Sequence, residues 1–264
     1  MTLSTREQLL EKLKQAVSMR GVKFLIAIPT YNEVGNIREL IEGIIANVDI
    51  EKEILVIDDG SPDGTADVVS EMKESINGLN VYRRSGKMGL GSAYLEAFAL
   101  AIEAGFPFVI TMDADLSHNP VVINQMIAKI SENDLVIGSR YTDGGSIPNF
   151  ELWRRWMSKG GNWLAKTLLK VKAKDCTSGF RCYRTEVLKN LKVNQNVESK
   201  QYIFLVEILL WLTINHCRIG EVPIIFNQRT RGKTKVSPTE FLHALERIVQ
   251  LSFRTNVLHR KVVK

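Results

Sequence analysis

Cysteine is scarce in this 264-residue chain, and the three that are present, Cys176, Cys182 and Cys217, form no CxxC pair. The odd number and the missing pair argue against a disulfide framework and a four-ligand zinc site.

Long apolar runs are also missing. The most apolar stretch, residues 202–214, spans about 13 residues and contains Glu207, whereas a bilayer-spanning helix needs ~20. We therefore interpret this stretch as a buried helix.

The N-terminus has no uninterrupted apolar segment of the secretory type, so we expect a cytoplasmic chain. No repeat, low-complexity tract or Pro- and Ser-rich linker divides the sequence, which predicts one continuous domain.

Lys and Arg total 35 against 29 Asp and Glu, a net charge of +6. This excess favours an anionic partner such as a nucleotide, a phospholipid or nucleic acid. Because no helix-turn-helix, RNP-type or zinc motif is present, we expect no nucleic-acid partner.

Short apolar runs of β type alternate with stretches of helical spacing from residue 23 onward, which is typical of an α/β sheet covered on both faces. The predicted strands cover residues 24–29, 53–58, 79–82, 108–115, 135–141 and 219–226. The predicted helices cover residues 3–19, 35–48, 64–75, 91–104, 153–169, 203–215 and 238–253.

Acidic residues follow the predicted strands, and function in such sheets collects at the carboxyl ends of strands. Asp113 and Asp115 are close enough to repel one another unless a cation lies between them, and hard oxygen ligands suit Mg²⁺ or Mn²⁺. The alternative is a plain turn in which Asp115 or Ser117 caps a helix beginning near residue 119.

Asp58 and Asp59 also allow two interpretations. They either begin a turn in which Asp63 or Thr65 caps the next helix, or they pair with a nucleobase N–H or a ribose hydroxyl. The glycine-containing loop 86–91 lacks the third glycine of GxGxxG, which argues against a dinucleotide site. Further along, Trp153, Trp156 and Trp163 fall near helical spacing and favour core packing, with a membrane-facing subset as the alternative.

Together these segments resemble the family-2 glycosyltransferases, and within them the dolichol-phosphate or polyprenyl-phosphate mannose synthases. The resemblance covers residues 22–253 and depends on nine motifs in the family's order. They are PTYNE (29–33), DDGSPDGT (58–65), GKMGLGSAY (86–94), DADLSH (113–118), GSRY (138–141), RxxxSKG (154–160), SGFRCYR (178–184), IGEVPI (219–224) and RTRGKTK (229–235).

The resemblance implies an α/β, GT-A-type Rossmann-like nucleotide-binding fold, as a single domain with a mixed central sheet. It also implies a GDP-mannose donor, Mg²⁺ or Mn²⁺, and a polyprenyl or dolichyl phosphate acceptor. We expect a helical extension at residues 1–21, the glycosyltransferase domain at 22–253 and a basic tail at 254–264. The residues implied for nucleotide-sugar binding are Pro29, Tyr31, Glu33, Asp58, Asp59, Asp113, Arg229 and Lys235. Those implied for the metal are Asp113, Asp115 and Ser117, those for the acceptor phosphate are Arg140, Arg154 and Ser158, and those for catalysis are Asp115, Arg140 and Arg154.

This inverting chemistry has little need of a general base, because a phosphate monoester with a second pKa near ~6 is mostly dianionic at neutral pH. Catalysis by His118 is therefore not required. A lipid acceptor predicts peripheral attachment to the cytosolic face of a membrane, through an amphipathic surface or a membrane-protein partner. The alternatives are a UDP-glucose or UDP-N-acetylhexosamine donor, and a catalytically silent regulatory subunit.

Overall fold

The computed structural model describes residues 5–148, 152–199, 203–227 and 245–253, with only the backbone described for 152–157. The strands are β1 Phe24–Thr30, β2 Lys52–Asp58, β3 Leu79–Arg83, β4 Phe108–Thr111, β5 Leu135–Ser139, β6 Arg181–Arg184 and β7 Ile219–Pro223. The helices are α1 Thr5–Arg20, α2 Ile37–Asn47, α3 Thr65–Met72, α4 Leu90–Ala104, α5 Val122–Ile130, α6 Leu152–Leu169, α7 Thr185–Asn190, α8 Val193–Asn196 and α9 Phe204–Ile214. Residues 245–253 are also helical.

The strands form one mixed sheet in the order β3-β2-β1-β4-β6-β5-β7. β6 runs antiparallel to its neighbours β4 and β5, and the other pairings are parallel. The carboxyl ends of six strands therefore meet at one edge of the sheet. The chain builds outward from β1 to β3 and then crosses to β4 on the other side of β1. This reversal between β1 and β4 is where open α/β sheets form their ligand crevice.

Apolar side chains cover both faces of the sheet, as a continuous apolar strand such as β1 requires. Leu25 and Ala27 lie in a core cluster with residues of α4 and α9, whereas Ile26 and Ile28 lie in a second cluster with residues of α2 and α5. All seven residues of β1 are buried. The strand at the centre of the site is therefore held rigidly from both sides.

Several predicted boundaries are wrong. β4 ends at Thr111 instead of residue 115, because the chain turns immediately afterwards and Leu116 has a left-handed φ of 62°. The strands predicted at 135–141 and 219–226 end at residues 139 and 223, and β6 was not predicted. In the predicted helix 238–253, residues 245–253 are helical, and 238–244 lie outside the described residues.

The first and last described helices are packed onto the domain. Leu13 of α1 lies in the core cluster that contains α4, and Arg6 forms ion pairs with Glu96 at 2.6 Å and Glu103 at 2.7 Å. Glu207 of α9 is buried and accepts hydrogen bonds from the Ser199 backbone N–H at 3.0 Å and from Arg247 at 3.2 Å. The prediction that α9 is a buried helix is confirmed. Within the described ranges, no helix combines the length and apolarity needed to span a membrane.

Candidate active site

The loops after β1 and β2 are hydrogen-bonded to one another along the crevice. Thr30 Oγ1 donates to Asp58 at 3.1 Å, and the Glu33 backbone N–H donates to Thr65 Oγ1 at 2.9 Å. Asp58 also accepts the Ser61 backbone N–H at 2.9 Å. The neighbouring parallel strands place these loops side by side, and the hydrogen bonds fix them as one wall.

Asp59 holds the glycine-containing loop that leads into α4. Its carboxylate accepts from the Arg84 guanidinium at 2.8 Å and from the backbone N–H groups of Met88 and Gly89 at 2.9 and 2.8 Å. Asp59 and Arg84 are both buried, and protein donors compensate the charge of Asp59. The expectation that Asp58 and Asp59 contact a nucleotide stays a prediction.

Gly60 allows this loop to approach closely. It has a left-handed φ of 73°, and a Cβ at this position would lie 2.8 Å from Cα of Gly86. A larger side chain would both strain the backbone and push the two loops apart. Glycine at this position therefore sets the width of the predicted nucleotide wall.

The other predicted nucleotide residues lie along the same wall, where they are described. Pro29 is in β1, and Nζ of Lys87 lies 4.4 Å from the centroid of the Tyr31 ring. Glu33 is buried and accepts from Asn36 Nδ2 at 2.8 Å. Arg229 and Lys235 lie outside the described residues.

The predicted metal residues form a tight turn after β4. Tyr94 Oη donates to Asp113 at 3.2 Å, and the Ser117 backbone N–H donates to Asp115 at 3.1 Å. Burial, reinforced by Asp113, raises the pKa of Tyr94 well above its ordinary value, so its hydroxyl remains a donor. The Ser117 hydroxyl, which is fully buried, also donates to Asp115. The capping alternative is wrong, because α5 begins at Val122 and Asn119, not Asp115 or Ser117, accepts the Val121 N–H at 3.0 Å.

The donor set of this turn fits a hard divalent cation. Asp113 and Asp115 supply carboxylate oxygens, and Mg²⁺ typically uses one or two carboxylates together with substrate phosphates. Among the described residues, no group of three or more His, Cys, Asp or Glu side chains forms a self-sufficient metal cage.

His118 contacts the turn that carries Asp113, Asp115 and Ser117, which we call the acid turn. Its Nδ1 accepts the Asp113 backbone N–H at 3.2 Å, and its ring stacks on Phe180 with centroids 4.9 Å apart. Burial lowers the pKa of His118, although Asp113 and Asp115 oppose the shift. The ring is therefore neutral with its proton on Nε2, and it positions the backbone that carries Asp113.

Replacing His118 by asparagine tests this positioning role. Asn keeps a hydrogen-bond acceptor for the Asp113 N–H, so we expect kcat/KM to fall by less than about tenfold, whereas losing a general base costs ~10²–10⁴-fold. The measurement is the pH–rate profile of both proteins, with His216→Asn as the matched control. A loss above about 10²-fold, together with disappearance of an acidic limb, would identify His118 as a base instead.

Arg140, which follows β5, is bound to a residue that the sequence analysis did not single out. Its Nε and Nη2 donate to the two carboxylate oxygens of Asp175 at 2.7 Å each, and Nη2 also donates to Thr177 at 2.6 Å. Asp175 is fully buried and Arg140 nearly so. Burial opposes ionisation of Asp175, but the guanidinium and the loop N–H groups outweigh it and lower the pKa of the carboxyl group.

This pair changes how Arg140 can act. The Nε–Nη2 edge of the guanidinium is occupied by Asp175, so a phosphate cannot take a bidentate contact through that edge while the pair is intact. Asp175 also accepts the backbone N–H of Ser178 at 3.1 Å, which orders the loop before β6. The only signal in the sequence was an acid followed by Thr177 and Ser178, which is typical of a self-capped turn.

Of the other two residues predicted to bind the acceptor phosphate, Ser158 contacts the residue after Arg140. The Tyr141 hydroxyl donates to Ser158 Oγ at 2.7 Å, which joins the end of β5 to α6. Arg154 lies in α6, and its side chain lies outside the described residues.

Phe226, which the sequence analysis also missed, connects the two halves of the site. Its ring centroid lies 5.5 Å from that of His118 and 5.3 Å from Cζ of Arg140.

The order of the strands arranges these parts across the edge of the sheet. The loops after β1 and β2 form the predicted nucleotide wall, and the acid turn follows β4 in the middle of the sheet. The Arg140–Asp175 pair follows on the other side, between β6 and β5. Phe226 therefore lies between His118, which contacts the acid turn, and Arg140.

The fold and the sequence match known glycosyltransferases. The polyprenol monophosphomannose synthase of Mycolicibacterium smegmatis is 38% identical over 234 residues, 87% of each chain. The undecaprenyl-phosphate mannosyltransferase of Micrococcus luteus is 35% identical over 216 residues, 82% of this chain and 88% of that one.

A crystal structure of glucosyl-3-phosphoglycerate synthase from Mycobacterium tuberculosis, in complex with Mn²⁺, UDP and glucosyl-3-phosphoglycerate, superposes with a TM-score of 0.59 at 20% identity. The match covers 93% of this chain and 83% of that one, and another crystal structure of that enzyme contains Mg²⁺ and UDP. The predicted GT-A-type fold with a mixed sheet is thereby confirmed. The family model for glycosyl transferase family 2 matches residues 25–192, and the chain belongs to this family.

Proposed function

We propose that this chain is a polyprenyl-phosphate mannosyltransferase, which moves mannose from GDP-mannose to a polyprenyl or dolichyl phosphate with inversion and yields a β-linked lipid-phosphate mannose. The observation that carries the proposal is agreement between two relatives. Both cover at least 82% of this chain, and the names of both specify a polyprenyl carrier and mannose. The arrangement of the acid turn between a nucleotide wall and a buried arginine supports it.

On the donor side, the wall built from the loops of β1 and β2 binds the nucleotide. Pro29, Tyr31, Glu33, Asp58 and Asp59 line or organise it, and Arg229 and Lys235 are proposed to reach the diphosphate. Asp113 and Asp115 would hold Mg²⁺ or Mn²⁺ with the diphosphate, with Ser117 as a further proposed ligand. The bound ion would stabilise the negative charge of the departing GDP.

On the acceptor side, Arg140, Arg154 and Ser158 bind the lipid phosphate. The acceptor oxygen attacks the anomeric carbon from the face opposite the diphosphate, and the bond to the GDP oxygen breaks. Because the phosphate is already mostly dianionic near neutral pH, no side chain has to remove a proton. Asp115, Arg140 and Arg154 then contribute mainly by position and electrostatics.

One observation favours a different donor. The crystal structure of similar fold contains UDP. A cation held by carboxylates binds the diphosphate of any nucleotide diphosphate sugar. A UDP-glucose or UDP-N-acetylhexosamine enzyme on the same lipid acceptor is therefore the second candidate.

A donor comparison tests the proposal. Radiolabelled GDP-mannose, UDP-glucose and UDP-N-acetylglucosamine are each incubated with the protein and a polyprenyl phosphate, with Mg²⁺ or Mn²⁺ and with EDTA. We expect label in a chloroform-extractable product only from GDP-mannose, and only with the metal. Transfer from a UDP-sugar alone would replace the donor assignment, and no lipid product from any donor would contradict the acceptor assignment.

The cellular setting follows from the lipid acceptor. We propose peripheral association with the cytosolic face of a membrane, either directly or through a membrane-protein partner, with no nucleic-acid partner. The division into residues 1–21, 22–253 and 254–264 likewise remains a proposal, and the contact of α1 with α4 argues that the extension is packed on the domain.

A further inference from the structure

The segment 152–174, which comprises α6 and the residues after it, is strongly basic. These 23 residues include seven Lys or Arg and no Asp or Glu, and they contain three of the four tryptophans. Because the whole chain has a net charge of +6, the other 241 residues carry a net charge of −1. Glu151 and Asp175 flank the segment.

The described part of this segment presents a basic and aromatic face to solvent. Lys159, Trp163 and Lys166 have the spacing of one helix face. The Trp163 side chain is 66% exposed, so the default prediction of core packing is wrong for this residue. The side chains of Trp153 and Trp156 lie outside the described residues.

This face borders a surface recess of about 350 Å³ beside the acceptor side of the site. Lys159, Lys166 and Lys174 line the recess together with Trp163 and Tyr141. Two described acids are near. Asp143 lies 3.8 Å from Nζ of Lys174 and is fully exposed, and the Glu221 carboxylate accepts the Lys174 backbone N–H at 3.0 Å. Tyr141 also bonds to Ser158, so the recess adjoins the residues proposed to bind the lipid phosphate.

We propose that the surface formed by Lys159, Trp163, Lys166 and Lys174 docks the enzyme on an anionic phospholipid bilayer. Lysines near an anionic membrane surface are attracted by its potential, and an exposed tryptophan prefers the level of the headgroups. Charge and aromatic content together match a membrane interface. This proposal rests on the proposed function and adds the surface through which the enzyme contacts the bilayer. A polyprenyl phosphate is held in a bilayer, so it must reach Ser158 from there.

Vesicle binding by the full chain tests the proposal. The variant Lys159→Glu, Lys166→Glu, Lys174→Glu is compared with Lys23→Glu, Lys73→Glu, Lys189→Glu, which changes the charge equally at exposed lysines on other elements. Co-sedimentation is measured with vesicles of phosphatidylcholine and with vesicles that also contain phosphatidylglycerol. We expect the first variant to bind anionic vesicles more weakly than wild type by about 100-fold or more, since each lysine near the surface contributes roughly a factor of five and each glutamate adds repulsion. The control variant should lose much less.

A second variant and a second assay separate docking from folding and from function. Trp163→Ser leaves the charge unchanged and should weaken vesicle binding by about tenfold through lost interfacial contact. The lysine variant should retain wild-type transfer to a short-chain, water-soluble polyprenyl phosphate without vesicles. That retention shows an intact fold. Absence of this transfer in the wild type would contradict the proposed function, while vesicle binding would still measure the surface.

Three results would overturn the docking surface. The wild type fails to bind anionic vesicles, the two triple variants lose binding equally, or the Lys159, Lys166, Lys174 variant binds as well as wild type. Binding of the wild type to an oligonucleotide duplex but not to vesicles is a form of the first result, and it would assign the basic segment to nucleic acid instead.

Discussion

Replacing Asp115 by asparagine is expected to lower kcat/KM for mannosyl transfer by about 10³-fold, or ~4 kcal/mol of transition-state stabilisation. The physical reason is that the proposed role of the carboxylate is to hold a cation on the leaving diphosphate, and an amide provides no negative charge. Asparagine retains an oxygen to accept the Ser117 N–H, which bonds at 3.1 Å in the native turn. The melting temperature should therefore change little.

Two measurements check the Asp115 prediction without depending on each other. Steady-state transfer from GDP-mannose gives the kinetic loss, and calorimetric titration of Mn²⁺ into protein with GDP reports the ion directly. Asp49→Asn, at an exposed position before β2, is the matched control and should match wild type in both. Wild-type Mn²⁺ affinity in the Asp115 variant would remove this residue from the metal site, whatever its effect on turnover.

The first half of the fold was predictable because most strands there contain an apolar run and a helix separates each strand from the next. β1 and β2 are buried along nearly their full length, so their apolar pattern is unmistakable. β6 was missed because it is only four residues long and begins and ends with arginine. Arg181 is fully buried, and its guanidinium donates to the backbone carbonyls of Ser178 and Cys176 at 2.7 and 2.8 Å. No sequence pattern shows that backbone carbonyls will solvate an arginine.

The site was predictable as a set of acids but not as a set of pairs. Asp59 was found at a strand end, where function collects in such sheets, and Arg140 was implied by the family resemblance. Their partners, Arg84 and Asp175, come from segments 25 and 35 residues away, and only the folded sheet brings them together. In both cases a buried ion pair fixes a loop at the edge of the site.

Replacing Asp175 by alanine is expected to have the largest effect on stability. Removing one partner of a buried ion pair leaves an uncompensated charge, so the free energy of unfolding should fall by roughly 3–5 kcal/mol. The 175–178 loop also loses the acceptor for the backbone N–H of Ser178. Urea denaturation at neutral pH measures the loss. Asp143→Ala, which removes an exposed acid from the same region, is the matched control.

The double variant Arg140→Ala, Asp175→Ala separates the pair from the loop. It should be more stable than Asp175→Ala alone, because no guanidinium is left buried without its acid. Acid dependence gives a second check. Since the pKa of Asp175 is lowered by folding, its stabilising contribution is complete above the ordinary aspartate pKa of about 4 and is lost as pH falls through the lower folded value.

If the Arg140–Asp175 pair also serves catalysis, the Asp175 variant should raise the KM for polyprenyl phosphate more than the KM for GDP-mannose. The reason is that Arg140 would be displaced from the acceptor side, whereas the predicted nucleotide wall would stay intact. This comparison is made at a temperature where the variant is folded. Equal increases in both KM values would mean that the loss spreads across the acid turn through Phe226, and Arg140 would then stabilise the site as a whole. An unchanged KM for both substrates, together with the loss of stability, would restrict the Arg140–Asp175 pair to a structural role.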